Sequence, residues 1–205
     1  MADLKSLHES QLDALAEVGN IGAAHAATAL SQLLRRKIMI SVPDVRVLPL
    51  SQVSSLVGPP ETLVAGVTMH VLGDATARIL LLLPRASAIN LSDMLLNQAV
   101  GSTKVLSEMG HSAIKETGNI LASAYLNALS EFLGLLLIPS VPNLVFDIAG
   151  AILDTVSQDY GLPTDDLLCI TTQFLEDTQV IKGYFLLIPD QASLEVILGS
   201  VKTTG

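Results

Sequence analysis

The chain repeats itself at an offset of 99 residues. Without a gap, 13 of the 30 positions in residues 5–34 carry the same amino acid in residues 104–133. A polar trio and a distant proline recur at this offset, so that Asp13, Glu17, Asn20 and Pro43 correspond to Ser112, Glu116, Asn119 and Pro142. A repeat of this length predicts two copies of one structural unit related by a pseudo-two-fold axis, like a homodimer joined into one chain.

Each half predicts the same order of elements: helix, strand, helix, strand, strand, helix. In the first half these cover residues 8–35, 37–42, 49–57, 62–72, 75–83 and 86–97, and in the second half residues 105–133, 134–141, 147–160, 165–175, 178–188 and 190–198. We therefore predict an α/β fold with a mixed six-stranded sheet flanked by helices. Residues 1–205 form one compact domain in this interpretation, made of repeats 1–99 and 100–205, with the strand order left open.

Composition limits the classes of partner and compartment. The chain has 11 Lys and Arg against 20 Asp and Glu, a formal net charge of −9, which disfavours nucleic acid as a partner. Its apolar runs are far shorter than the roughly 20 residues of a membrane span, and its first residues do not resemble a secretory signal. We expect a cytoplasmic protein without membrane insertion, in which the single Cys169 is a buried structural thiol.

Small residues make part of the first helix nearly smooth. They are Gly19, Gly22, Ala23, Ala26 and Ala27. A glycine costs about 1 kcal/mol inside a helix, so we expect a compensating close approach of another element along this segment.

The polar trio shares one face of its helix. At about 100° per residue, positions 13, 17 and 20 fall within a strip about 60° wide, and the second trio falls within the matching strip. A Glu and an Asn at this spacing are also common on an ordinary solvated helix face. Asn is a weak helix former, and its survival at both positions favours a duplicated functional site.

The residue types narrow the chemistry of such a site. A carboxylate pair common to both copies is excluded, because Asp13 becomes Ser112. The four histidines have no metal-ligand spacing and none is shared between the halves, so we predict no metal site. A carboxamide offers an acceptor and two donors. It can therefore hold a water molecule in line with a phosphorus atom, as a glutamine does in small GTPases.

The spacing Asp/Ser-x3-Glu-x2-Asn-x22-Pro resembles the signature of the CheC/CheX/FliY family of chemotaxis phosphatases. Both copies fit at all four positions, from Asp13 to Pro43 and from Ser112 to Pro142. Two intact copies in 205 residues, without a further domain, are most similar to the CheC type of this family. The resemblance covers essentially the whole chain and implies a CheC-like fold.

The resemblance also implies an activity and roles for residues. The family hydrolyses the aspartyl phosphate of the response regulator CheY, and the Mg²⁺ belongs to the regulator. Asn20 and Asn119 would orient the attacking water, and Glu17 and Glu116 would pair with the regulator's lysine. The remaining motif positions would support the site: Asp13 and Ser112 would orient or dock, and Pro43 and Pro142 would be structural.

A second implied partner is the receptor deamidase CheD. The predicted helix over residues 147–160 is longer than its counterpart in the first half, and a partner bound once per chain needs a feature present once. We hypothesise that CheD binds there, with contacts from Asp147, Ile148, Ile152 and Asp154. The alternative is that this is only a longer packing helix.

Other interpretations remain open. A non-enzymatic adaptor would sequester phosphorylated CheY through the same strips and scaffold CheD. A third interpretation is a structural component of the flagellar switch. As a pseudo-dimer the protein is expected to be monomeric. Its two sites differ in charge, since Glu9, Asp13 and Glu17 make the first more acidic, whereas Lys115 accompanies Glu116 in the second.

Overall fold

The computed structural model describes residues 8–35, 37–59, 61–160, 166–176 and 179–203. Within these ranges the chain forms six helices and seven strands. The helices are α1 (Glu9–Leu34), α2 (Leu50–Val57), α3 (Arg85–Leu95), α4 (Glu108–Leu133), α5 (Ala149–Tyr160) and α6 (Gln191–Thr203). The strands are β1 (Met39–Pro49), β2 (Leu63–Gly73), β3 (Ala77–Pro84), β4 (Leu137–Pro139), β5 (Asn143–Ile148), β6 (Asp166–Glu176) and β7 (Gln179–Pro189).

The strands form one sheet in the order β1-β6-β7-β3-β2-β4, and β5 pairs with β2 next to β4. Every pairing among the described residues is antiparallel. The predicted α/β class and repeated element order are confirmed, but the prediction of a mixed, six-stranded sheet is wrong. Each half supplies a hairpin (β2–β3 and β6–β7), and hairpins pair antiparallel by construction.

The two halves exchange their outer strands. First-half β1 pairs with second-half β6, and second-half β5 pairs with first-half β2. The two hairpins meet at the centre, where β3 pairs with β7. This arrangement has the pseudo-two-fold symmetry that the repeat predicts, and it joins both halves in one sheet.

The repeated prolines lie at irregularities in the outer strands. Ser41 pairs with Gln173 and Asp44 with Thr171, so Val42 and Pro43 together oppose the single residue Thr172. This is a β-bulge, a place where a residue without a backbone N–H is tolerated in a sheet. The strand predicted to end at Pro43 therefore continues to Pro49.

In the second half the same irregularity divides the outer strand in two. Pro139 pairs with Val71 and Asn143 with Thr68, so three residues (140–142) oppose two on β2. The interruption separates β4 from β5. It accounts for the seventh strand and for the difference from the predicted strand over residues 134–141.

The core lies on both faces of the sheet. On β3, five successive residues from Ile79 to Leu83 are fully buried. Because successive side chains of a strand point to opposite faces, Ile79, Leu81 and Leu83 pack on the side of α1 and α4. Leu80 and Leu82 pack on the side of α5 with Ile152 and Val156. A continuous aliphatic run is thus required at the centre of the sheet.

The long helices α1 and α4 pack directly against each other. A Cβ atom on Gly22 would collide with the Tyr125 ring and lie 2.9 Å from Tyr125 Cα. The close approach predicted from the small residues of α1 is confirmed here. Both helices have 26 residues, yet no described helix is long and apolar enough to cross a membrane.

Candidate functional site

The first polar strip lies on the outer side of α1. Asp13, Glu17 and Asn20 are all exposed, whereas Leu15 and Val18 between them are buried. The helical period therefore separates the strip from the core face, as the sequence predicts. The three side chains share one accessible surface.

The second strip repeats this arrangement on α4. Ser112 and Glu116 are exposed and Asn119 is half-buried, while Ile114 and Thr117 are buried. The structure thus brings each trio together on its own helix.

The candidate side chains are available for a partner. Glu17, Asn20, Glu116 and Asn119 form no hydrogen bond or ion pair with another described residue. An exposed carboxylate beside a carboxamide presents acceptors and donors together. Such a pair can bind a cation and orient a water molecule, provided that a partner supplies the reacting group.

A glycine precedes each asparagine and lets the helix lie on the sheet. A Cβ atom on Gly19 would lie 3.6 Å from Val42 Cγ1 and 4.0 Å from Ile170 Cγ2. On Gly118 it would lie 2.7 Å from Val67 Cγ1. The side chains of β1, β6 and β2 below these glycines therefore set the height of both strips above the sheet.

The two repeated prolines do not have the same relation to the strips. Val42, in the bulge with Pro43, packs beneath Gly19 and so supports the α1 strip. In the second half Val141 next to Pro142 is largely exposed, and Val67 of β2 lies beneath Gly118 instead. The bulge at Pro43 therefore supports α1 through Val42. The irregularity at Pro142 gives α4 no such contact, because α4 is supported by Val67 of β2.

An apolar groove adjoins the second strip and was not anticipated from the sequence. It has a volume of about 300 Å³. We define the α4 groove by its lining residues Leu33, Leu34, Leu95, Leu96, Met109, Ser112, Ala113, Glu116 and Thr117. One signal could have revealed it, because Met109 replaces Ser10 at the repeat offset and places an apolar residue near the start of α4.

The remaining reactive side chains do not join the strips. Cys169 is 2% exposed, and its burial raises the pKa of the thiol to about 12. The prediction of a buried structural thiol is confirmed. Within the described ranges no three His, Cys, Asp or Glu side chains are grouped so that they could hold a metal ion.

Similarity to known proteins includes the two segments that carry the strips. The family model of the CheC-like family matches residues 11–47 and 109–146, which contain the two strips with their prolines. The CheY-P phosphatase CheC of Bacillus subtilis (strain 168) is 32% identical over 199 residues, which cover 95% of this chain and 95% of the relative.

The chain belongs to the CheC-like family.

A second relative and a solved structure agree with this assignment. The flagellar motor switch phosphatase FliY of Bacillus subtilis is 31% identical over 128 residues, 62% of this chain and 33% of FliY. The crystal structure of Thermotoga maritima FliY has a TM-score of 0.77 and 22% identity, and the match covers 98% of this chain and 100% of that one. The first shows sequence kinship and the second a shared fold, so the predicted family resemblance is confirmed.

The structure differs from the prediction at the surface expected to bind CheD. Asp147 and Ile148 belong to β5, not to a helix, and α5 begins at Ala149. Ile152 is 4% exposed and packs over β2, where it lies 3.1 Å from the Cβ position of Gly66. The helix face predicted through Ile152 is therefore turned to the core, because α5 needs an apolar stripe to cover the sheet. Of the four predicted contacts, Asp147, Ile148 and Asp154 are exposed.

Proposed function

We propose that this protein is a chemotaxis phosphatase that hydrolyses the aspartyl phosphate of phosphorylated CheY at two sites. The observation that carries the proposal is the pair of Glu-x2-Asn strips, exposed except for the half-buried Asn119, each on a helix whose opposite face is buried. The relative named CheY-P phosphatase CheC aligns over 95% of both chains, which supports the same substrate here.

The asparagines perform the water-orienting step. The carboxamide of Asn20 or Asn119 accepts a hydrogen bond from the water and directs its oxygen at the phosphorus. The new P–O bond forms as the bond from phosphorus to the aspartyl oxygen breaks. Inorganic phosphate and the free aspartate of the regulator are released. No covalent intermediate forms on this chain, since it contributes positioning alone.

The glutamates dock the regulator. Glu17 and Glu116 are exposed one helical turn from their asparagines, where each carboxylate pairs with the active-site lysine of the regulator. The Mg²⁺ of the reaction is held by the regulator, where it neutralises charge on the phosphoryl group. Asp13 and Ser112 extend the docking surface by one more turn of the helix.

Phosphate release from phosphorylated CheY tests this assignment. The proteins to compare are wild type, Asn20→Ala, Asn119→Ala and the double variant. We expect each single variant to retain the turnover of its intact site, and the double variant alone to fall to the regulator's own rate. Asn20 is exposed and Asn119 is half-buried, so unfolding of the variants is not expected, and circular dichroism checks it.

A wild type that binds phosphorylated CheY without raising phosphate release would refute the enzyme and support the adaptor. Residual catalysis by the double variant would show instead that the asparagines do not orient the water. A role confined to the flagellar switch would leave phosphorylated CheY unbound.

A second partner, CheD, is proposed to bind where β5 meets α5. The difference in helix length supports this location. Helix α5 has 12 residues and its counterpart α2 has 8, so the longer helix has no equivalent in the first repeat. Asp147, Ile148 and Asp154 provide exposed contacts. Asp154→Lys is expected to weaken binding of CheD while phosphate release is retained, and Glu195→Lys on α6 is the matched charge control. Equal affinity of Asp154→Lys and wild type for CheD would contradict this surface.

A further inference from the structure

The α4 groove shares two residues with the second strip. Ser112 and Glu116 line the groove and also belong to the polar trio of α4. The other walls come from the C-terminal ends of α1 and α3 and from the first turns of α4. A partner that reaches the Glu116 carboxylate therefore lies over the mouth of the groove.

Apolar side chains at the groove are exposed to solvent. Met109 is 68% exposed and Leu33 is 59% exposed, while Leu95 and Leu96 are half-buried. Burial of adjacent exposed apolar side chains by a partner contributes favourably to the free energy of binding. An acidic group also lines the groove, since the Glu116 side chain is exposed there. The groove thus suits a surface that has a cation beside an apolar side chain.

Two apolar residues of the groove correspond to serines in the other repeat, whereas Leu96 corresponds to the apolar Val201. Met109 corresponds to Ser10 at the repeat offset of 99 residues. Leu95 corresponds to Ser200 at the offset of 105 residues that relates Pro84 to Pro189. The asymmetry means that the two sites can bind the same partner through different forces.

We propose that the α4 groove binds an apolar side chain of the phosphorylated receiver domain, next to the cation that pairs with Glu116. The proposal rests on the proposed function, because it assigns the receiver domain as the partner at the second site. Met109, Leu95 and Leu96 provide the apolar contact and hold the domain over Asn119. The first site has a serine in place of Met109 and binds the same domain chiefly through its three carboxylates.

The second site is isolated in a protein that carries both Glu17→Arg and Asn20→Ala. The first substitution disrupts docking at the first site, and the second removes its catalytic asparagine. In this background Met109→Ser copies the residue of the first site, and Leu96→Ser removes a second wall. Each is expected to raise KM for phosphorylated CheY about tenfold, equivalent to about 1.4 kcal/mol, with kcat unchanged. Val180→Ser, which removes an exposed apolar residue from the β6–β7 hairpin, is the control and leaves KM unchanged.

A binding measurement separates this proposal from the proposed function. CheY loaded with beryllofluoride, which imitates the phosphoryl group, is titrated into the same variants. If turnover is absent but Met109→Ser still weakens binding about tenfold, the phosphatase assignment fails and the groove stands. Unchanged Kd and KM in both groove variants overturn the groove proposal. A shift of oligomeric state in sedimentation, with the affinity for CheY unchanged, overturns it too and assigns the groove to a second copy of this chain.

Discussion

Gly118 of α4 lies directly on Val67 of β2, so that a Cβ atom on the glycine would be 2.7 Å from Val67 Cγ1. Gly118 comes immediately before Asn119, and Val67 is fully buried in the sheet. The distance from helix to sheet at this point therefore fixes the position of the candidate water-orienting residue. The equivalent glycine of the first repeat, Gly19, has its nearest such neighbour at 3.6 Å, an ordinary contact.

Substitution of the two glycines by alanine should have opposite effects on stability. Gly118→Ala forces α4 or Val67 to move, and overpacking of this kind costs about 1–3 kcal/mol. Gly19→Ala meets no close neighbour and gains up to about 1 kcal/mol of helix propensity. Urea unfolding of both variants measures the difference.

The same pair of variants tests whether packing height controls catalysis. Gly118→Ala should lower turnover at the second site, measured in an Asn20→Ala background, because Asn119 is displaced. Gly19→Ala should leave turnover at the first site close to wild type. Equal free energies of unfolding for the two alanine variants would contradict the packing argument.

A buried hydrogen bond links α4 to β6, opposite the bulge of β1. The hydroxyl oxygens of Tyr125 and Thr172 are 3.2 Å apart, and Thr172 is the residue opposite Val42 and Pro43. Tyr125→Phe keeps the ring that packs on Gly22 but leaves the Thr172 hydroxyl without this partner, so we expect a loss of about 1 kcal/mol. Thr172→Val should cost a similar amount.

The double variant of Tyr125→Phe with Thr172→Val should lose less than the sum of the two single variants, since it leaves no unpaired hydroxyl. Free energies of unfolding for the four proteins give the coupling directly. Strict additivity would mean that the two hydroxyls do not stabilise each other.

The sequence predicted the strips well because their geometry is local. The positions of Asp13, Glu17 and Asn20 on one face follow from the helical period alone, and duplication is the reason for interpreting that face as a functional site. The strand end predicted at Pro43 was wrong. A proline reads as the end of a strand, whereas Thr172 on a distant strand allows a bulge and lets β1 continue to Pro49.

Features that depend on distant packing could not be predicted. The antiparallel sheet depends on which strands meet, and β5 pairs with β2, about 80 residues away in sequence. Ile152 was expected at a partner surface, but the sheet beneath α5 needs that side chain to cover Gly66. The α4 groove likewise joins the ends of three helices. In the sequence it is marked only by the differences between the repeats at Met109 and Leu95, which correspond to Ser10 and Ser200.

Acid should reduce the contribution of Asp93 to stability. Its Oδ2 accepts hydrogen bonds from the backbone N–H groups of Gly101 at 2.8 Å and Thr103 at 3.3 Å, in the loop before α4. Burial raises the pKa of the Asp93 carboxyl, but hydrogen bonds from Thr103 and from the backbone of Gly101 and Ser102 outweigh it and hold the pKa below its ordinary 3.8. The stabilisation is therefore complete above the unfolded-state pKa and is lost as pH falls through the lower folded-state value.

The Asp93→Asn variant measures this contribution. At pH 7 the variant should be less stable than wild type, because a neutral amide accepts the two backbone hydrogen bonds less strongly than a carboxylate. The difference in free energy of unfolding should shrink between pH 5 and pH 3. A difference that stays constant or widens on acidification would contradict the assigned sign.

Salt should distinguish the two sites. Glu9, Asp13 and Glu17 follow one another at single-turn spacing on α1, and all three are exposed. On α4 Ser112 interrupts the series and Lys115 adds an opposing charge. Encounter of a receiver domain through its lysine should therefore be faster at the first site at low ionic strength, and screening by salt should reduce the encounter rate more strongly there.

We expect kcat/KM to fall more steeply with salt in Asn119→Ala, where only the first site works, than in Asn20→Ala. Asp13→Ser, which copies Ser112, should bring the salt dependence of the first site close to that of the second while kcat is retained. Identical salt dependence in Asn119→Ala and Asn20→Ala would show that the α1 carboxylates do not steer the encounter.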